Sequence, residues 1–128
     1  MELRFVQIAN LNDALMALKD KQLPFKLSLI IAKDLALLEK EIDFYVERER
    51  EFADKYLQKD EATGNYIQEK EGVFRIKEGM ESECAEARKE LDAFTTEVEL
   101  RTIPVGLVEN LELTPAQVGA LEIIIEEE

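Results

Sequence analysis

Two apolar stripes at heptad spacing constrain this chain more than any other feature. Ile31, Leu35, Leu38, Ile42, Tyr45, Glu49, Phe52 and Tyr56 make the first, and Met80, Cys84, Ala87, Leu91 and Phe94 the second. Alternating steps of four and three keep each set along one seam of a helix. From Lys26 to about Gln58 there is no glycine or proline, and Ala, Leu, Glu and Lys prevail. One helix of roughly 50 Å is therefore expected there. Packed against the shorter second seam, it predicts a long antiparallel helical hairpin. The first half, with Leu27, Leu29, Ile30, Ile31, Leu35, Leu37 and Leu38, is apolar on more than one side and calls for cover by other elements. From Glu39 to Asp54 the helix is charged everywhere except the seam, so this part is expected to project. Glu49 interrupts the seam itself; it marks loosened packing or a basic partner.

The flanking segments predict a small base. Leu3, Phe5 and Gln7 alternate with Arg4, Val6 and Ile8, which reads as a short strand. Asn10 and Asn12 offer helix-start chemistry. Leu11, Leu15 and Leu18 then continue at helical spacing, and the helix should end before Pro24. Lys59 to Asn65 is a turn by composition. Tyr66–Gln68 and Val73–Lys77, either side of Glu69–Gly72, predict a β-hairpin. Thr95 to Val105 alternates as one strand ending near Pro104 and able to pair with the first. Thr114, Pro115 and Gln117 form a capping box with proline at the first helical position, and Leu113 is placed to staple onto Val118. The helix that follows is expected to bury Val118, Leu121 and Ile125 and to fray in the tail Glu126–Glu128. The expected fold is α+β and mostly helical, a single domain over 1–128. Its base comprises 1–25 and 96–128, and its helical hairpin with inserted β-hairpin comprises 26–95.

The chemistry available is narrow. Twenty-nine acids against 16 bases give a net charge of −13, with no histidine and one cysteine. A field of that sign repels nucleic-acid phosphates and anionic membranes, so no direct nucleic-acid binding and no membrane association are expected. No apolar run approaches ~18 residues, the span of a bilayer. The start, Met-Glu-Leu-Arg-Phe, lacks the basic-then-apolar pattern of a signal peptide. Lone Cys84 excludes an intrachain disulfide and, on an apolar seam, reads as core. Ser28 and Ser82 lack a glycine-flanked elbow, and no glycine-rich loop could cradle phosphate. Glu39, Asp43, Glu47 and Glu51 share one helix face, and Glu81, Glu86 and Glu90 form a similar row. Two-metal carboxylate sites in helical bundles add histidine, which is missing. The expectation is therefore no catalytic residue, no metal and no cofactor. The candidate partner-binding residues are Tyr45, Glu49, Phe52 and Tyr56 on the outer seam, with Asp43 and Glu47 beside them. The longer helix outreaches the shorter by more than ~20 Å, and either the β-hairpin covers the difference or another subunit or partner does; an uncovered seam would be an association site, and a homo-oligomer is expected.

The order of features carries a resemblance. A strand entering an Asn-started helix leads to Leu-Pro-Phe-Lys-Leu-Ser and a long Glu/Lys-rich helix. A Lys-Asp-Glu-x-x-Gly-Asn turn follows, then Glu-Leu-x-x-Phe-x-x-Glu-Val-Glu-Leu (Glu90 to Leu100) and Leu-Thr-Pro-Ala-Gln-Val-Gly-Ala-Leu-Glu (Leu113 to Glu122). Over most of its length the chain resembles a family of small, functionally uncharacterised proteins of tailed bacteriophages and prophages. The resemblance implies a context, not a catalytic residue. It implies a virion or assembly component binding other phage virion proteins, found in the bacterial host cytoplasm or the virion. The alternative it leaves open is an acidic inhibitor that occupies a basic surface or nucleic-acid channel of a host defence or transcription protein.

Overall fold

The computed structural model describes residues 1–127. The elements in order are β1 (Glu2–Arg4), α1 (Phe5–Leu18), α2 (Phe25–Tyr56), β2 (Gln68–Lys70), β3 (Val73–Phe74) and α3 (Glu81–Ala93). They continue with β4 (Thr95–Glu97), β5 (Ile103–Pro104), α4 (Pro115–Leu121) and β6 (Ile125–Glu126). The fold is α+β and mostly helical, with a β-hairpin inserted between the long helix α2 and the shorter α3. Packing divides the chain into two compact units. One comprises Met1–Asp43 and the chain from Thr95 onward; the other is Phe44–Phe94. The division falls inside α2, because Leu27, Ile30, Ile31 and Leu38 of that helix belong to the main core.

In the first unit, α1 contributes Ile8, Leu11, Ala14, Leu15 and Leu18, a 3.6-residue periodicity that buries one face. That periodicity reaches back to Ile8, and this corrects the strand expected over 3–8. Only Glu2–Arg4 is extended, and the helix starts at Phe5 instead of after Asn10. Gln7 fixes the start, since its Oε1 accepts the Arg4 backbone N–H at 2.9 Å. Around α1 and the first part of α2 the core is closed by Leu3, Val98, Ile103, Val108, Leu121 and Ile124.

The strands of this unit are short. β1 pairs antiparallel with β4, Leu3 opposite Thr96, so the expected pairing of the two segments forms. The segment 95–105 is not one strand, however. It leaves the ladder after Glu97, turns Val98 into the core and resumes as β5, which pairs in parallel with β6, Ile103 opposite Ile125. Ile125 is therefore a strand residue and not the last turn of a helix. α4 ends at Leu121 and a 3-10 turn, Glu122–Ile124, carries the chain into β6. The start of α4 follows the expected capping box. Thr114 Oγ1 accepts the Gln117 N–H at 3.1 Å, and Gln117 Oε1 accepts the Thr114 N–H at 2.9 Å. Val118, expected in the core, is 52% exposed, and Ile124 takes the buried position. Glu126 pairs in β6, and Glu128 of the expected tail lies outside the described residues.

The second unit holds the remainder of α2, the β-hairpin and α3. The chain leaving α2 bridges both hairpin arms, Leu57 opposite Ile76 and Lys59 opposite Tyr66. Asp60 Oδ1 accepts the Ala62 N–H at 2.8 Å in the intervening turn. Gly72, with φ +78°, makes the tight turn between β2 and β3, in the left-handed region that side chains disfavour. α3 buries Cys84; Met80, Ala87 and Leu91 are half-buried, while Phe94 at the end of the seam is exposed.

Candidate functional site

Every member of the long seam from Ile31 to Tyr56 is buried or half-buried, Glu49 included. The outer seam is occupied from within its own unit by Arg88 of α3. One guanidinium nitrogen of Arg88 donates to Glu49 Oε2 at 2.9 Å, and another donates to the Tyr45 hydroxyl at 3.1 Å. Tyr45 in turn donates to Glu49. The guanidinium carbon lies 4.8 Å from the centre of the Phe52 ring, a cation–π contact. Phe52 packs on Tyr56 with ring centres 5.1 Å apart. Asp92, one turn further along α3, accepts from the Arg88 Nε at 3.1 Å.

The electrostatics follow from this arrangement. The Arg88 guanidinium holds the Glu49 carboxyl below the usual carboxylate range, against the opposing effect of burial. Burial, then the hydrogen bond to Glu49, pushes the Tyr45 phenol up to about 12. Glu49 raises Arg88 further above its ordinary range. The site is a clasp between two helices in which one guanidinium answers the Glu49 and Asp92 carboxylates.

The six candidate residues therefore separate. Tyr45, Glu49, Phe52 and Tyr56 come together around Arg88, with Tyr56 only 7% exposed. Asp43 and Glu47 lie outside the clasp. Asp43 is exposed, and Glu47 accepts from Arg50 three residues along the same helix, which holds its carboxyl low. The alternative in which Glu49 meets a basic group is thus satisfied inside the chain. Sequence reasoning missed Arg88. The available signal was its position four residues after Cys84, on the edge of the second seam.

It also missed Asp34. This residue lies on the buried side of α2 and is fully enclosed. Its Oδ1 accepts the Arg101 backbone N–H at 2.8 Å, and its Oδ2 is buried without a hydrogen-bond partner. Burial raises its carboxyl above the ordinary range, partly offset by the Arg101 N–H. A groove of about 610 Å³ runs between α1 and α4, lined by Gln7, Asn10, Asp13, Ala14, Gly119 and Ala120 among others. Asp13 is its one ionisable lining residue, so it offers no acid–base pair. No cluster of three potential metal ligands occurs among the described residues. Cys84 is buried, and burial raises its thiol, the reverse of what a nucleophile needs. No described helix is long and apolar enough to cross a membrane. Comparison of the chain with protein-family models, curated proteins and solved structures returns no match.

Proposed function

We propose that this chain is a non-catalytic bacteriophage protein that acts through protein–protein contacts in virion structure or assembly. The observation that carries this reading is the set of large apolar side chains left exposed on α2. Phe25 is 81% exposed, and Leu29, Leu37, Phe44 and Val46 are also exposed. Apolar area kept in water along one helix is area available to a partner. Asp43 and Glu47 lie between Phe44 and Val46 on the helix surface, whereas Tyr45, Glu49, Phe52 and Tyr56 are engaged around Arg88. The resemblance to small phage and prophage proteins supplies the biological setting.

The test is affinity purification of the tagged protein from infected cells, washed at low and at high salt, followed by mass spectrometry. Capsid, portal or tail proteins that survive high salt are the expected result. Charge-driven contacts at an exposed surface are screened within ~8–10 Å at physiological salt and less than that above it. A host nuclease or polymerase that washes off with salt would overturn the assembly reading in favour of the acidic inhibitor.

A further inference from the structure

The groove between α1 and α4 lies wholly inside the first unit, and its volume of about 610 Å³ falls in the range of ligand sites. Ala14 is buried in it and Ala120 and Ile123 are half-buried. A Cβ added at Gly119 would meet nothing within 4 Å, so the groove is open at that point. Its polar lining is marked by what it leaves unused. Gln7 and Gln117 are the third residues of α1 and α4. Each amide oxygen already accepts a backbone N–H at 2.9 Å, that of Arg4 for one and of Thr114 for the other. What remains to each amide is its amino group, which can only donate. The side chains of Asn10 and Asp13 hold no hydrogen bond or ion pair among the described residues. The charge around the groove is of one sign. Neither α1 nor the chain beyond Arg101 contains a lysine or an arginine, whereas Glu109, Glu112, Glu122, Glu126 and Glu127 all follow Arg101. The field over the groove is therefore negative.

These features select a ligand by its chemistry. Anions are repelled, and no aromatic ring lines the groove for a nucleobase to stack on. A bare organic cation would answer Asp13 but offer the two glutamine amino groups no acceptor. A helix spends most of its backbone carbonyls on itself. An extended peptide carrying a lysine or arginine supplies both needs at once: free carbonyls for Gln7 and Gln117, and a cation for Asp13. We propose that the groove between α1 and α4 is a docking site for an extended segment of a partner protein, seated with a basic side chain at Asp13. The Arg4 and Thr114 backbone bonds hold the two glutamines in place, so their donors are oriented before the segment arrives. The inference rests on the protein-contact reading for its biological sense, although it uses a different surface from the exposed side chains of α2. It is tested on the purified chain with a synthetic peptide, so the two fail separately.

The experiment is proton–nitrogen correlation NMR of the full chain, titrated to millimolar concentration with a capped pentapeptide of one central lysine among alanines. The side-chain amide signals of Gln7, Asn10 and Gln117 are expected to shift and to saturate. The same peptide with glutamate in place of lysine, and spermidine, should each bind at least about tenfold more weakly. Asp13→Asn should weaken the lysine peptide by about tenfold as well, with the rest of the spectrum unchanged because Asp13 is exposed. Gly119→Leu fills the groove from a helical position that has room for the side chain, and it should abolish binding without lowering the melting temperature. A lysine peptide that shifts none of the three amides, or that shifts only signals elsewhere on the acidic surface, overturns the proposal. Spermidine or the glutamate peptide binding as tightly as the lysine peptide also overturns it, as does parental affinity in Asp13→Asn.

Discussion

Asp34 is the residue whose chemistry departs furthest from its surroundings. It is enclosed beside Leu27, Ile30, Ile31 and Leu38 of the main core, with one carboxylate oxygen satisfied and the other not. Its folded pKa is raised above 3.8 by burial. Below 3.8 both folded and unfolded states hold the proton and no penalty exists. The penalty grows as pH rises towards the folded value and is fully present above it. Glu49 behaves oppositely. Its folded pKa is lowered from 4.5, so its contribution is present above that value and is lost as pH falls through the folded one. Asp34→Asn keeps an acceptor for the Arg101 N–H and removes the buried charge. It is expected to raise stability at pH 7 by about 1 kcal/mol, with the gain shrinking on acidification, as read from urea titrations at several pH values. A variant less stable than the parent at pH 7 would show that the ionised carboxylate is favourable where it sits. Cys84 gives a second residue-scale expectation. Buried, with its thiol raised, it should resist a maleimide in the native protein and react fully in denaturant.

At the scale of elements, what could be read in advance was what depends on near neighbours. The capping box at Thr114 needs only residues 114–117 and was legible in full. Its removal in Thr114→Ala should cost about 1 kcal/mol and loosen α4 first, visible as faster hydrogen exchange at Val118–Leu121. The long helix was equally plain, because nothing over its length breaks one. Residues 5–8 were misread because alternation over four positions also fits one turn of an amphipathic helix. Ile8, Leu11 and Leu15 settle it, yet their burial depends on the rest of the core. The parallel pairing of β5 with β6 joins residues more than 20 positions apart and leaves no local mark. Arg88 is the same kind of case. A half-buried arginine on α3 is worth little until Glu49, Tyr45 and Phe52 are known to converge on it. Arg88→Lys retains the charge but loses the fork that reaches both partners. It should lower the thermal stability of the helix pair nearly as much as Arg88→Ala does. Equal stability of Arg88→Lys and the parent would reduce the clasp to a simple charge contact.

For the whole molecule, the distribution of buried apolar groups predicts unequal resistance to opening. Every residue of the main core cluster lies in the first unit. Between Phe44 and Phe94 the buried apolar residues are Tyr56 and Cys84 alone, and the rest of that unit relies on half-buried contacts, the Arg88 clasp and short strand bridges. Local opening free energy scales with the apolar contact that must be broken, so the second unit should open more readily than the first. α2 runs without interruption through both, and each unit claims part of it. It is α-helical from Phe25 to Tyr56, so a gradient of protection along it would follow the packing of its two parts. Native-state hydrogen exchange is expected to show strong protection at Leu27–Leu38, falling beyond Asp43, with β2, β3 and α3 exchanging alongside the weaker end. Arg88→Ala should accelerate exchange in α3 and in the second part of α2 while leaving α1 unchanged. Uniform protection from Phe25 to Tyr56 would mean that the continuous helix couples the two units into one cooperative structure, and the Arg88→Ala effect would then spread to α1 as well.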